Sequence, residues 1–439
     1  MGVEEKECKL WNPNFKSLNR EKIEQIQLEG LQATVNRVYR SVPFYRKSFD
    51  KIGIIPEDID SLSKLSLLPF TNRQTLIKNY PYGMFAVPLR EVVRLHCTSS
   101  QTGEPIVIGY TKNDIEHWTE VSARVLAGGG VTRDDVVQIC LDYGFFGGGL
   151  GFHYGAELIG ASVIPAPNLD PVKQLLLARD YRTTVILCTP SFALKLIAAM
   201  EEENINIASL QLKIGIFTGE PFSEDMRAEV EEKLKIKVVV SYGPPEIPGP
   251  KVSAECEKRC GLHIFEDQFI PEIVDPQTGK VLPPGEEGEL VLTTITKEAF
   301  PLIRYRTGDL TSLNTSLCAC GRSFIRMRNV TKRTDDMLIV NGVSFFPSQI
   351  RDILTQIEGA EPQFRLIIDR EGTQDVVDVM VEVSEDIFFD EMKKLQGLKA
   401  KIEEVIFEKL GIRTKVKLVE KKSLSQKGPQ KIVTDKRLK

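Results

Sequence analysis

From about Val92 to Gly243 the chain alternates short β-branched runs with amphipathic stretches, and this alternation restricts its fold more than any other feature. The runs are VVQICLD, ASVIPA, TVILCT, KIGIFTGE and KVVVSYG. Between them lie a stretch near Tyr154–Leu158, then VKQLLLARD, FALKLIAAMEEE and DMRAEVEEKLK, whose apolar residues recur at helical spacing. Strand, helix, strand in repetition makes βα units, which bury their apolar faces as a mainly parallel sheet covered by helices. The expected fold class is therefore α/β. In such sheets ligands bind beyond the carboxyl ends of the strands, so the turns after these runs are where chemistry is sought.

The flanking regions read differently. Residues 17–55 are expected to be largely helical, with Leu28, Leu31, Val35 and Val38 on one stripe and Gly30 interrupting it. Residues 264–296, with IPEIVD, the turn PQTGKVLPPGEEG and ELVLTTI, predict antiparallel strands. After RNVTKRTDD a small α+β unit is expected, with a domain boundary at about Thr334: MLIVNGVSFFP, a helix from Ser348, FRLIIDR, VVDVMVEVS, a helix near 391–410 and TKVKLVE. The closing KIVTDKRLK reads as a solvated tail.

With 439 residues, two or three domains are expected. Lysine and arginine number 57 against 61 acidic residues, which leaves no basic excess for displacing the counterions of a nucleic acid. The N-terminal residues are charged from the start, and no stretch approaches the roughly 20 apolar residues of a membrane span. Eight cysteines thinly spread through the chain suit a reducing compartment, so a cytoplasmic protein that needs no membrane is expected.

Four turns are candidate ligand sites. In HCTSSQTGEP, the hydroxyls of Thr98, Ser99, Ser100 and Thr102, with Gly103, can wrap phosphate oxygens, although the pattern GxxxxGK[ST] is absent. In LDYGFFGGGLGFHYG, a dinucleotide fingerprint fails because Gly149 and Gly151 lack a third glycine at position 154. Tyr143, Phe145 and Phe146 can instead wall an aromatic pocket or pack in the core. FTGEPFSEDM and VVVSYGPPEIPGP each place glycine and a carboxylate after a strand, which suggests one shared crevice; Glu246 there suits Mg²⁺ on ATP, a hard cation that prefers oxygen ligands. Plain solvent turns are the alternative for both. A fifth constellation, Cys256 and His263 with Cys318 and Cys320, offers three thiolates and an imidazole, a closed shell for structural Zn²⁺, with Cys260 as a competing ligand. Cys8, Cys97, Cys140 and Cys188 read as packing residues. No GxSxG elbow is present, and His96, His117 and His153 are expected to be structural.

Taken in order, SVPFYRKSF, LSLLPFTNRQTLIKNYPYGMFAVP, YGFFGGGLGFHYGAE, CTPSFALKL, FTGEPFSEDMR, YGPPEIPGP, GLHIFED, FPLIRYRTGDL, CACGR, TDDMLIVNGVSFFPSQI and TDKR resemble the phenylacetate–CoA ligases of the acyl-adenylate-forming superfamily over nearly the whole chain. The resemblance implies an N-terminal adenylation domain over residues 1–334, with a zinc-containing β-subdomain at about 250–330, and a mobile C-terminal cap over 335–439. It implies that the carboxylate of an aryl or arylacetic acid attacks the α-phosphorus of Mg·ATP, after which coenzyme A displaces AMP. By the same resemblance Gly219, Glu220 and Pro221 lie against adenine, and Ser241, Tyr242 and Gly243 border the nucleotide. Glu246 binds Mg²⁺, Asp309 accepts from the ribose hydroxyls, Arg333 approaches ribose or phosphate, and Asp335 is the hinge. Tyr143, Phe146 and Gly148 border the acyl pocket, and Cys256, His263, Cys318 and Cys320 are favoured over Cys260 as zinc ligands. A homodimer is implied as well.

The departures from the family pattern are equally specific. The phosphate loop SSGTTGKP is here TSSQTGEP, so Ser100, Gln101 and Glu104 replace glycine, threonine and lysine. A charge reversal about 4 Å from a phosphate shifts the interaction by roughly 1–4 kcal/mol per charge. YGLSE is here YGPPE, and Pro244 and Pro245 stiffen the turn. The C-terminal Gly-Lys pair is missing from SQKGPQKIV, which leaves Lys427 or Lys431 to neutralise the α-phosphate. Two further readings follow from these changes: an adenylating enzyme with a different acceptor, and a catalytically impaired homologue that binds or regulates.

Overall fold

The computed structural model describes residues 18–98, 105–144, 148–247, 251–330, 332–341, 343–371, 374–383, 392–421, 423–424 and 432–437. They fall into two compact units, one running through Thr98 and from Ile106 to Thr334, the other containing the chain from Asp335 onward.

In the first unit the alternation gives a nine-stranded sheet. Its parallel part runs in the spatial order Ser162–Pro165, Val136–Ile139, Val185–Cys188, Ile214–Phe217, Lys237–Tyr242. The central strands Val185–Cys188 and Ile214–Phe217 are buried along their whole length, as expected of strands covered on both faces. In four helices of this unit a side chain satisfies the first free N–H groups: Thr111 caps Lys112–Gly128, Asp170 caps Pro171–Asp180, Thr189 caps Pro190–Glu202 and Ser223 caps Glu224–Leu234. The helix anticipated near Tyr154–Leu158 extends over Gly148–Ile159.

That longer helix packs hard against Lys112–Gly128. A Cβ on Gly155 would stand 2.7 Å from both Ala123 N and Ser122 Cβ. Backbone on the opposing side cannot swing away as a side-chain tip can. Gly155→Ala is expected to destabilise the protein by about 1–3 kcal/mol, read as a lower urea midpoint; an unchanged midpoint would show that the two helices separate easily.

Beyond Lys237–Tyr242 the same sheet continues in antiparallel fashion through Ser253–Glu255, Leu262–Ile264, Arg326–Met327 and Leu313–Asn314. The predicted antiparallel strands of 264–296 are Phe269–Val274 and Gly288–Thr294, which join Tyr305–Thr311 and Lys332–Arg333 in a separate four-stranded sheet. Residues 250–330 are thus divided between two sheets. The N-terminal stripe forms helices Arg20–Ser41 and Pro43–Ile52. Gly30 stays inside the first because Ile295 presses on it: a Cβ there would lie 2.9 Å from Ile295 Cβ.

The second unit is a four-stranded sheet in the order Thr414–Glu420, Gln374–Val383, Ala360–Glu371, Val433–Asp435, with helices Pro347–Leu354 and Met392–Leu410 and its own apolar core. Here the structure corrects the reading of KIVTDKRLK as a solvated tail. Val433–Asp435 pairs in parallel with Leu366–Ile368. Arg437 donates to Ile339 O at 2.8 Å and ion-pairs with Asp435 and Asp375. A sheet edge and a nearly buried Asp375 carboxylate hold what charge composition alone assigned to solvent. Among the described residues no helix is long and apolar enough to cross a membrane.

Candidate active site

The turns after the parallel strands are built by backbone demand first. Gly219, just beyond Ile214–Phe217, has φ +85°, a conformation that suits glycine. Glu220 then turns back onto the neighbouring helix. Its two oxygens accept from Ser191 N at 2.8 Å and Ser191 Oγ at 2.7 Å, so its charge serves the N-terminus of Pro190–Glu202. Gly219 and Pro221 stand exposed beside it. One strand over, Ser241 is buried and its carbonyl accepts from Thr218 Oγ1 at 2.8 Å, which ties the two strand ends together below Tyr242 and Gly243.

Two ion pairs lie at this end of the sheet. The Tyr242 hydroxyl donates to Asp309 Oδ2 at 2.5 Å, and Arg333 pairs with Asp309 Oδ1. Arg333 reaches it because Asp309 and Arg333 face each other in the pairing of Tyr305–Thr311 with Lys332–Arg333. Its other terminal nitrogen donates to Thr307 O at 2.9 Å. Burial, with the adjacent Asp309 charge, pushes the Tyr242 phenol well above its usual range and keeps it a neutral donor. Glu246, itself buried, accepts from Arg73 Nη1 at 2.6 Å. Both pairs act on one buried phenol, Tyr305: burial raises it most, Glu246 and Asp309 raise it further, and Arg73 and Arg333 oppose them. The carboxylates of Glu246 and Asp309 thus belong to one electrostatic cluster.

Of the three candidate pocket aromatics, Tyr143 lies within the described residues. Tyr143 shares a hydrogen bond with His153 Nδ1 (3.2 Å), and His153 Nε2 contacts Glu157 at 3.1 Å. Among the described residues, a Cβ on Gly148 would meet nothing within 4 Å. Behind it lies Lys251, fully buried, which donates to Gly148 O at 3.1 Å and sits 4.3 Å and 4.9 Å from the ring centres of Phe152 and Trp118. Sequence reasoning missed both Lys251 and Arg73. Lys251 directly follows the segment YGPPEIPGP and Arg73 lies within LSLLPFTNRQTLIKNYPYGMFAVP, but neither was given a role there, because each acts on residues far away in the chain.

Several candidate residues lie outside the described residues: Ser99, Ser100, Thr102 and Gly103 of the phosphate loop, Phe146, and Lys427 and Lys431. Thr98, at the edge of that loop, is buried and bonds across its neck, with Thr98 N to Ile106 O at 3.0 Å and Ile106 N to Thr98 Oγ1 at 3.2 Å. Asp335 opens the second unit, and its carboxylate accepts from Met337 N at 3.3 Å.

The cysteine–histidine constellation is brought together. Ligand atoms of Cys256, His263, Cys318 and Cys320 all lie within 4.8 Å of one another. A tetrahedral ion with Zn–S of about 2.3 Å and Zn–N of about 2.0–2.1 Å has S···S edges of about 3.8 Å and S···N edges of about 3.5 Å. Cys256 and Cys318 sulfurs are 3.8 Å apart, and Cys320 Sγ is 3.5 Å from His263 Nε2, so the donor set fits. Cys260 is not part of it; its thiol is exposed and contacts Lys258 O at 3.1 Å. Among the other thiols, burial raises Cys97, Cys140 and Cys188, which suits inert packing.

A family model described as AMP-binding enzyme matches residues 86–296, and one described as AMP-binding enzyme C-terminal domain matches 342–437. The structure of a 2-hydroxyisobutyryl-CoA ligase in complex with 2-HIB-AMP and CoA superposes with a TM-score of 0.91 at 26% identity, covering 97% of this chain and 92% of that one. The fold is that of the adenylate-forming enzymes. At sequence level, the phenylacetate-coenzyme A ligase of Thermus thermophilus is 42% identical over 423 residues, 93% of this chain and 95% of the relative. That of Escherichia coli is 43% identical over 367 residues, 83% of each. The chain belongs to the phenylacetate–CoA ligase family.

Proposed function

We propose that this protein, an ATP-dependent, AMP-forming CoA ligase, takes an aryl or arylacetic acid as its substrate. The likeness to phenylacetate-coenzyme A ligases along 93% of the chain carries the reading. The Tyr143 ring, together with the absence of any described atom within 4 Å of a Cβ on Gly148, supports a flat, apolar acyl group.

The reaction has two steps. A carboxylate oxygen bonds to the α-phosphorus of ATP, the bond to the bridging oxygen breaks, and pyrophosphate leaves. The CoA sulfur then bonds to the acyl carbon, its proton passes to solvent, and AMP departs with the former carboxylate oxygen. The protein contributes position and fixed charge. Asp309 accepts from the ribose hydroxyls while Tyr242 and Arg333 hold its oxygens in place. Gly219, Glu220 and Pro221 form the adenine wall, kept rigid because Glu220 is anchored to Ser191. Ser241 and Gly243 close the strand end beside them. The hydroxyls of Thr98, Ser99, Ser100 and Thr102, with Gly103, wrap the phosphates, and Lys427 or Lys431 approaches the α-phosphate. Asp335 is the hinge. Glu246 would hold Mg²⁺, which when bound screens phosphate charge. Cys256, His263, Cys318 and Cys320 would hold a structural Zn²⁺ with no open position. A cytoplasmic homodimer completes the reading, on the family resemblance alone.

The test is AMP release from a panel of acids with and without CoA. Phenylacetic and benzoic acids are expected to exceed straight-chain acids of similar length by at least about tenfold in kcat/KM. AMP release from no acid would remove the ligase reading; release that ignores CoA would point to a different acceptor.

A further inference from the structure

We infer that Arg73 is a catalytic residue of the adenylation step and supplies, from outside the phosphate loop, positive charge that the loop itself lacks. The inference rests on the ligase reading above and adds a residue to it. Its first support is position. Thr71, two residues earlier, is stitched to the strand region that carries Asp309: Thr71 N donates to Arg304 O at 3.1 Å, Thr71 Oγ1 to Ile303 O at 2.7 Å, and Arg306 N to Thr71 O at 2.9 Å. Asn72 then caps the short helix Arg73–Lys78 by accepting from Thr75 N at 2.9 Å. Arg73 therefore leaves a fixed backbone, and its side chain is aimed rather than free to wander.

The second support is what it reaches. One guanidinium touches Glu246 Oε1 at 2.6 Å and Thr98 Oγ1 at 3.4 Å. Thr98 is the residue that closes the neck of the phosphate loop, and Glu246 is the carboxylate read as the magnesium ligand. Glu246 has a side-chain exposure of 5% and Arg73 of 24%, so the cation is the more solvent-accessible member of the pair. The third support is charge. The loop carries Glu104 and no lysine, and in chain order the next residue after Thr98 with a positive side chain is Lys112. A planar guanidinium with several N–H donors is suited to phosphate oxygens. As the carboxylate–phosphorus bond forms and the bond to the bridging oxygen breaks, the electron pair leaves on pyrophosphate, and Arg73 donates to those oxygens.

Three measurements on Arg73→Gln and Arg73→Lys test this: ATP binding by equilibrium dialysis, carboxylate-dependent pyrophosphate exchange, and thioester formation from supplied acyl-adenylate and CoA. Arg73→Gln is expected to weaken ATP binding about tenfold and exchange about a hundredfold, with the thioester step within twofold of wild type. Arg73→Lys is expected to lose only about tenfold in exchange, because it keeps the charge but not the fork. Unchanged ATP binding and exchange in Arg73→Gln, or an equal fall in both half-reactions, overturns the assignment. Should Arg73→Gln fail to fold, Arg73→Lys decides: exchange lowered with thioester formation intact supports it, and unchanged exchange overturns it. ATP binding needs no acid, so an unaltered dissociation constant counts against Arg73 even if no acid is turned over. A wild type that binds ATP and exchanges with no acid counts instead against the ligase reading.

Discussion

Replacing Cys318 by alanine is expected to strip the metal and cost at least about 3 kcal/mol of stability, the largest effect on folding of any substitution considered. The reason is where the four ligands sit. Cys256 directly follows strand Ser253–Glu255, His263 lies within Leu262–Ile264, and Cys318 and Cys320 lie in the connection between Leu313–Asn314 and Arg326–Met327. One ion held by these four would therefore staple the antiparallel end of the nine-stranded sheet, which consists of two- and three-residue strands with few hydrogen bonds of their own. Structural zinc contributes roughly 10–16 kcal/mol of apparent binding free energy in small sites at neutral pH, and three ligands retain only part of it. Wild-type protein is expected to hold about one zinc per chain by metal analysis, and Cys318→Ala almost none, with a lower melting temperature. Cys260→Ala is the control: its thiol is exposed and outside the constellation, so metal content and melting should stay as in wild type. Equal metal content in wild type and Cys318→Ala would dispose of the site.

The second large effect is on catalysis. Glu246→Gln keeps the shape of the side chain and removes its charge. Pyrophosphate exchange is expected to fall by about 10²–10³, the range for losing one preorganised electrostatic contact in a site shielded from water. The fold should survive, because Arg73 is part exposed and is not left as a fully buried unpaired cation. A companion rise in the magnesium concentration needed for half-maximal exchange would tie the loss to the ion. Exchange within threefold of wild type, at unchanged magnesium dependence, would show that Glu246 is only Arg73's partner.

Much of this site was legible in the residues. Glycine after a strand at Gly219 announced a turn that needs a left-handed backbone, and YRTGD marked Asp309 through family resemblance. Three cysteines and His263 suggested a metal shell, and their ligand atoms are indeed brought within 4.8 Å of one another, although Cys260 could be set aside only by resemblance until its exposure was known. The partners of these residues were hidden. Arg73 and Glu246 are 173 positions apart, and Tyr242 and Asp309 are 67 apart. No local pattern ties them, since the pairing arises from the way separate elements are laid side by side. Lys251 is the sharpest case. A lysine after a Pro-Gly-Pro turn reads as solvent-facing, yet it is fully buried against Trp118 and Phe152.

By itself, the amino-acid sequence determined the kinds of element and their order in the alternating region from Val92 to Gly243, because hydrophobic period and capping residues act within a few positions of each other. It also carried the family, and with it the reaction. Only the tertiary structure decided that the parallel sheet runs on into the strands flanking the cysteine–histidine cluster, that Glu220 is occupied by a helix N-terminus, and that Val433–Asp435 is a sheet edge locked by Arg437. Those outcomes depend on which buried charge finds which partner across long chain separations, and desolvation makes that choice costly to get wrong.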